Sequence, residues 1–127
     1  MARVLVVDDE QDIRDALRFI LEDAGHEVLE AFDGENALQV LRASQSSLVV
    51  VLDLLMPRLS GIDVLQQVIA DPHLKDRHAY LLMTADNALL RQQADPLLMQ
   101  VSARVIGKPF DIDALLNMID QAARFPV

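Results

Sequence analysis

The chain lacks several residue types that would indicate particular chemistries. It has no cysteine, so it holds no disulfide framework, no thiolate metal ligand and no thiol nucleophile. It has no tryptophan, and Lys75 and Lys108 are its only lysines. No apolar run approaches the roughly 20 residues of a membrane-spanning helix, and no basic segment with a signal-type apolar core opens the sequence. We therefore expect a cytoplasmic protein that makes no membrane contact.

Basic residues are also scarce in the first part of the chain. Residues 1–35 hold eleven Asp and Glu against three Arg, and the remainder holds nine acids against eight bases, which gives a net charge of −9. The acidic first part would repel a phosphate backbone, so we expect no direct binding of nucleic acid. A chain of 127 residues can bury one core of its own, and we predict a single domain over residues 1–127.

The chain does contain a regular alternation of strand-like and helix-like segments. Residues 49–57 (VVVLDLLMP) form an apolar, β-branched run typical of a strand buried on both faces of a parallel sheet, and this run places Asp53 at the strand's end. Shorter apolar runs predict four more strands, at residues 3–7, 27–31, 79–83 and 103–106. A helical apolar pattern follows each strand. Five such units predict a flavodoxin-like (βα)5 α/β fold, a doubly wound parallel five-stranded sheet in the order 2-1-3-4-5.

Glycine and proline set the predicted helix boundaries. Gly25 supplies a stop for the first helix, and Pro72 ends the third. We expect Pro96 to cut the fourth helix short, which leaves residues 97–99 (LLM) without a regular place in the scheme. Asp111 is expected to cap the last helix.

Polar side chains follow four of the predicted strands. Asp8 and Asp9 follow the first, Asp53 ends the third, Thr84 follows the fourth and Lys108 follows the fifth. The strand order brings these ends to one cleft. Three close carboxylates would repel one another unless a divalent cation lay among them, and Mg²⁺ prefers hard oxygen ligands and a shared phosphate. An ammonium and a hydroxyl suit further phosphoryl oxygens, so the set predicts a phosphoryl group attached to, or passing through, Asp53.

Four motifs along the chain resemble the receiver domain of two-component response regulators, the CheY-like superfamily. They are residues 6–10 (VVDDE), 53–61 (DLLMPRLSG), 83–85 (MTA) and 108–110 (KPF). The resemblance implies that Asp53 accepts a phosphoryl group from a sensor histidine kinase or a histidine phosphotransfer protein. It also implies a signalling domain, not an enzyme with its own substrate, which switches contacts with a downstream output domain or protein.

The same resemblance implies a metal site. Asp9 and Asp53 would ligate Mg²⁺, or Mn²⁺ in its place, together with the backbone carbonyl of Leu55. Asp8 would act mainly through a metal-bound water. Thr84 and Lys108, in the same family, would bind phosphoryl oxygens.

Three features depart from the family pattern, and two alternative functions stay open. Pro96 is expected to break the fourth helix, and residues 97–101 (LLMQV) replace the small-residue, acidic segment that receivers usually carry before the fifth strand. Val105 stands where receivers commonly carry an aromatic ring that moves with Thr84 on activation, and apolar Leu55 lies beside the expected path of a hydrolytic water. One alternative is a receiver used only as a phosphorylation-independent protein-binding module. The other is a Mg²⁺-dependent aspartyl-phosphate phosphatase, which would need a second Asp where Leu55 stands.

Overall fold

The computed structural model describes residues 2–56, 60–85, 88–101, 103–108 and 110–124. The strands are β1 (Arg3–Val7), β2 (Glu27–Ala31), β3 (Val49–Asp53), β4 (Ala79–Ala85) and β5 (Ala103–Lys108). The helices are α1 (Gln11–Asp23), α2 (Gly34–Ala43), α3 (Gly61–Ala70), α4 (Pro72–Arg77), α5 (Ala88–Leu98) and α6 (Ile112–Arg124). Among these described helices, none is long and apolar enough to cross a membrane.

The five strands form one parallel sheet in the order β2-β1-β3-β4-β5, which confirms the predicted topology. Adjacent strands are closely in register, since Val7 of β1 pairs with Leu52 of β3, and Leu52 pairs with Leu82 of β4. Consequently β1, β3, β4 and β5 end at one edge of the sheet. This carboxyl edge is where ligands bind in sheets of this type.

The sheet separates two apolar cores, and alternate residues of β3 contribute to each. Val50 and Leu52 pack in the core covered by α2, α3, α4 and α5, whereas Val49 and Val51 pack in the core covered by α1 and α6. All five residues of β3 are buried, as predicted for a central parallel strand. Burial on both faces fixes the strand, and with it the position of Asp53.

Helix α1 ends through the glycine that the sequence indicated. Gly25 has a φ of 92°, a left-handed conformation that is costly for residues with a side chain. Its N–H donates to the carbonyl of Glu22, and the N–H of His26 donates to that of Leu21. These two bonds are a Schellman ending, which satisfies the last carbonyls of the helix.

The connection after α3 contains a short helix that the sequence did not predict. Helix α3 ends at Ala70, as expected, but Pro72 is also the first residue of α4. Proline is well suited to this position, because the first N–H of a helix needs no helical partner. The Asp71 side chain caps α4 by accepting the N–H of His73.

The prediction that Pro96 cuts the fourth helix short was wrong. Helix α5 runs from Ala88 to Leu98 with Pro96 inside it. Proline lies in the last turn, where the missing N–H removes a single bond near the frayed end. Leu97 and Leu98 are half-buried against the α2–α5 core, so apolar packing offsets that loss, while Met99 beyond them is exposed.

Buried His78 joins three elements at the opposite, amino edge of the sheet. Its Nδ1 accepts the N–H of Leu48 at 3.0 Å, so Nδ1 carries no proton and Nε2–H donates to the carbonyl of Leu41 at 3.3 Å. Burial lowers the pKa of His78, since a charged imidazolium would be poorly solvated there. No pattern in the sequence around this histidine predicts a role for it.

Candidate functional site

The three aspartates predicted to converge lie together at the carboxyl edge. Asp8 directly follows β1 and Asp53 ends the adjacent β3, and the pairing of Val7 with Leu52 brings the two aspartates level. One carboxylate oxygen from each of Asp8, Asp9 and Asp53 lies within 4.8 Å of the other two. Asp8 is fully buried, Asp53 is 5% exposed, and Asp9 is exposed on the solvent side. The cluster therefore reaches from the sheet end to the surface.

The local chain orients two of these carboxylates. Oδ1 of Asp8 accepts the N–H of Glu10 at 2.9 Å, and Oδ1 of Asp53 accepts the N–H of Leu55 at 3.1 Å. Both bonds join an Asp to the backbone two residues later, a local turn that Asp favours. The second bond also holds the backbone of Leu55 beside Asp53, while 60% of the Leu55 residue is exposed.

Gly61, the first residue of α3, allows that helix to begin close to the end of β3. A Cβ at this position would lie 2.5 Å from the carbonyl oxygen of Asp53 and 2.6 Å from Cα of Leu54. The N–H of Gly61 donates to the carbonyl of Leu54 at 3.2 Å. Gly61 belongs to the motif at residues 53–61, and the structure requires glycine there for close backbone approach.

Strands β4 and β5 bring the remaining predicted residues to the same edge. Met83 pairs with Asp53, so Thr84 stands one residue farther out, and it is buried at 2% exposure. Lys108 is the last residue of β5 and pairs with Ala85. The Lys108 side chain lies outside the described part of the structure, as do the motif residues at positions 57–59 and 109.

The side chains of the cluster fit a divalent cation such as Mg²⁺. Three carboxylates within 4.8 Å, two of them buried, would repel one another strongly without a positive charge between them. All the donors are hard oxygens, which Mg²⁺ prefers over nitrogen or sulfur.

One group of residues beside the cluster was not predicted from the sequence. Nη1 of Arg14 donates to the backbone carbonyl of Asp8 at 2.7 Å, and Nε of Arg14 donates to Glu30 at 3.2 Å. Nε of Arg18 donates to the other Glu30 oxygen at 2.7 Å, a bond that raises the pKa of Arg18. Two arginines four residues apart in an otherwise acidic segment, followed by a glutamate within a strand, were the available signal.

The fold and the site together define a class of protein. A doubly wound parallel sheet with a carboxylate cluster at its carboxyl edge is typical of domains that handle phosphoryl groups through a divalent cation. The family model for the response regulator receiver domain matches residues 4–120. The chain belongs to this family, which is a family of signalling domains.

Alignments with known relatives cover from about half to most of the chain. Over 66 residues the chain is 47% identical to the uncharacterized transcriptional regulatory protein YrkP of Bacillus subtilis. This alignment covers 52% of this chain and 28% of YrkP. Over 119 residues it is 34% identical to the CAI-1 autoinducer sensor kinase/phosphatase CqsS of Vibrio cholerae, covering 92% of this chain and 17% of CqsS. The chain thus spans less than a third of either relative.

A solved structure with a similar fold carries ligands. The response regulator protein TrrA of Thermotoga maritima, in complex with Mg²⁺ and BeF, aligns with a TM-score of 0.79 at 30% identity, over 95% of this chain and 98% of TrrA. These similarities support a receiver with a phosphoacceptor role. They do not favour the phosphatase or the phosphorylation-independent module.

Proposed function

We propose that this chain is a single receiver domain over residues 1–127 whose Asp53 accepts a phosphoryl group. The observation that carries the proposal is the grouping of the Asp8, Asp9 and Asp53 carboxylates within 4.8 Å at the carboxyl edge of the sheet. Thr84 and Lys108, at the ends of the next two strands, bind phosphoryl oxygens. No second function has an observation of its own in its favour.

The transfer exchanges one bond to phosphorus for another. A carboxylate oxygen of Asp53 attacks the phosphorus of a phosphohistidine, the new O–P bond forms as the P–N bond breaks, and the electron pair stays on the departing imidazole nitrogen. The bond from the Leu55 N–H holds the Asp53 carboxylate in a fixed orientation for this attack. Thr84 donates a hydrogen bond to one oxygen of the transferred group, and the Lys108 ammonium offsets the charge of another.

Asp9, Asp53 and the backbone carbonyl of Leu55 would hold Mg²⁺, with Asp8 contributing through water. When bound, the metal neutralises carboxylate and phosphoryl charge. Mn²⁺, which accepts the same oxygen ligands, is expected to replace it. The local turn of Asp8 keeps its carboxylate facing this group of ligands.

The phosphoryl donor and the recipient of the signal are other proteins or domains. We propose a sensor histidine kinase or a histidine phosphotransfer protein as donor and a downstream output domain or protein as recipient. Support comes from the relatives, which include a transcriptional regulatory protein and a sensor kinase. The acidic first 35 residues make direct binding of nucleic acid by this domain unfavourable. We place this activity in the cytoplasm, away from the membrane.

Incubation with acetyl phosphate and Mg²⁺, followed by intact-mass measurement, tests the proposal. The wild type should gain the mass of one phosphoryl group, and Asp53→Ala should not. Asp15→Ala is the matched control, because Asp15 is an exposed carboxylate on α1, and this variant should be modified like the wild type. No modification of the wild type, or equal modification of Asp53→Ala, would overturn the assignment.

A further inference from the structure

A series of charged hydrogen bonds connects the acidic cluster to β2, the outermost strand on one side of the sheet. The side chains that form these bonds are not among the proposed metal ligands. Arg14 bridges the Asp8 carbonyl, at 2.7 Å, and the Glu30 carboxylate, at 3.2 Å. Glu30 lies in β2 opposite Val6, so its position is fixed by the sheet. Arg18 holds the second oxygen of Glu30 at 2.7 Å.

The geometry of these hydrogen bonds requires an arginine at position 14. A guanidinium presents several N–H donors in a rigid fork, so Arg14 can donate to a carbonyl and a carboxylate at once, whereas a lysine ammonium is a flexible point charge. The Arg14 side chain is only 15% exposed and that of Glu30 is 27% exposed, so both are largely shielded from water. Charged hydrogen bonds in such partly buried positions are stronger than exposed ones.

Three hydrogen bonds hold the Asp8 residue in place. Its N–H donates to the carbonyl of Ala31 in β2, its carbonyl accepts from Arg14, and its Oδ1 accepts from Glu10. The Arg14 bond acts on the peptide that joins Asp8 to Asp9. A change in that peptide would therefore move both carboxylates relative to Asp53.

We infer that Arg14 is a positioning residue for the divalent cation: by holding the Asp8 carbonyl against Glu30 of β2, it sets the spacing of the Asp8 and Asp9 carboxylates and so the affinity of the cluster for Mg²⁺. This inference rests on the proposed metal site. Arg14 itself touches neither the metal nor the phosphoryl group in this scheme.

Positioning and simple electrostatics make opposite predictions for Arg14. Its positive charge lies beside the site and on its own disfavours a cation. If charge were its only effect, Arg14→Gln would strengthen Mg²⁺ binding. If Arg14 positions the carboxylates, the same variant weakens it. The direction of the change therefore decides between the two.

Calorimetric titration of the unphosphorylated protein with Mg²⁺ measures this direction. We expect Arg14→Gln to lose about tenfold in affinity, within the range for residues that orient metal ligands. Arg14→Lys, which keeps the charge but not the fork, should lie between Arg14→Gln and the wild type. Arg18→Gln is the matched control, because β2 holds Glu30 in register without Arg18 and Arg14, not Arg18, donates to the Asp8 carbonyl. The Mg²⁺ affinity of this variant should stay close to that of the wild type.

Thermal unfolding without metal establishes which variants are folded. If Arg14→Gln is not folded, the Mg²⁺ affinity of Arg14→Lys decides between positioning and simple electrostatics. Unchanged or tighter Mg²⁺ binding in a folded Arg14 variant would overturn the inference. So would an equal loss in Arg18→Gln, since that would reflect general loosening of α1 from β2. A wild type that binds no Mg²⁺ would contradict the proposed metal site itself, together with this inference.

Discussion

Leu55 places an apolar side chain at the mouth of a carboxylate cluster. Its backbone N–H holds Asp53, but its side chain is largely exposed and has no group that could hydrogen-bond a water molecule. The resemblance to receiver domains implies that a water attacking a phosphoryl group on Asp53 would pass beside this position. If Asp53 is phosphorylated as proposed, we expect Leu55 to order that water poorly, so that the phosphorylated form persists longer than it would with a polar residue here.

Substituting Leu55→Asn tests this effect on the lifetime of the phosphorylated form. A side-chain hydrogen bond worth about 1 kcal/mol in the transition state would speed phosphate loss about fivefold. The loss is followed by intact mass after removal of acetyl phosphate. Leu55→Met, which keeps an apolar chain of similar size, should behave like the wild type, and slower loss from Leu55→Asn would contradict the argument.

At the residue scale, the sequence predicted the residues whose positions follow from the order of the strands alone. Asp8 and Asp53 stand at strand ends, so strand order alone places them together. Arg14 and Glu30 are different, because their contact depends on which side of α1 faces β2. That orientation is decided by packing of the whole helix on the sheet, which a spacing pattern does not specify.

At the element scale, the critical contact joins the end of β3 to the start of α3. The carbonyl of Asp53 and the backbone of Leu54 lie where a side chain on Gly61 would have to fit. Neither neighbouring atom belongs to a flexible side chain. Any substitution must therefore move the helix or the strand end that carries Asp53.

Gly61→Ala should lower the free energy of unfolding by about 1–3 kcal/mol, the usual cost of overpacking. Urea unfolding measures the change. Gly107→Ala is the matched control, because a Cβ there meets nothing within 4 Å, and this variant should be as stable as the wild type. A Gly61→Ala variant with wild-type stability would show that the β3–α3 junction has room to adjust.

Helix α5 illustrates why local signals mislead at this scale. Proline inside a helix costs about 3 kcal/mol in an isolated segment, and this rule led to the wrong boundary at Pro96. Leu97 and Leu98 lie beyond it, and in the continued helix they pack, partly buried, against the core. Tertiary burial of two leucines outweighed the local rule, and this burial depends on the neighbouring helices.

At the scale of the whole molecule, the two edges of the sheet have different tasks. The carboxyl edge brings charged groups together. At the amino edge, His78, directly before β4, is hydrogen-bonded to α2 and to Leu48, directly before β3. The sequence predicted the first edge because its residues carry recognisable chemistry. It could not predict the second, because a neutral histidine between two backbone groups follows no residue pattern.

The state of His78 makes the stability of the fold depend on pH. Its pKa is lowered in the folded protein from the ordinary value of 6.5, so at pH values below 6.5 the unfolded chain binds more protons at this residue than the folded chain does. Stability from His78 is thus fully present above pH 6.5 and is lost as the pH falls toward the lower, folded value. Protonation would also remove the acceptor of the Leu48 N–H, and an unsatisfied buried donor costs about 1–3 kcal/mol.

Urea unfolding at a series of pH values below 6.5 should therefore give a falling free energy of unfolding in the wild type and a shallower fall in His78→Asn. Asparagine suits this comparison because its Oδ1 can accept the Leu48 N–H while its side chain does not titrate. His73→Asn, at an exposed histidine of α4, should keep the wild-type slope, since that residue accepts no buried backbone donor in the described structure. Equal slopes in wild type and His78→Asn would mean that the effect of acid on stability does not act through His78.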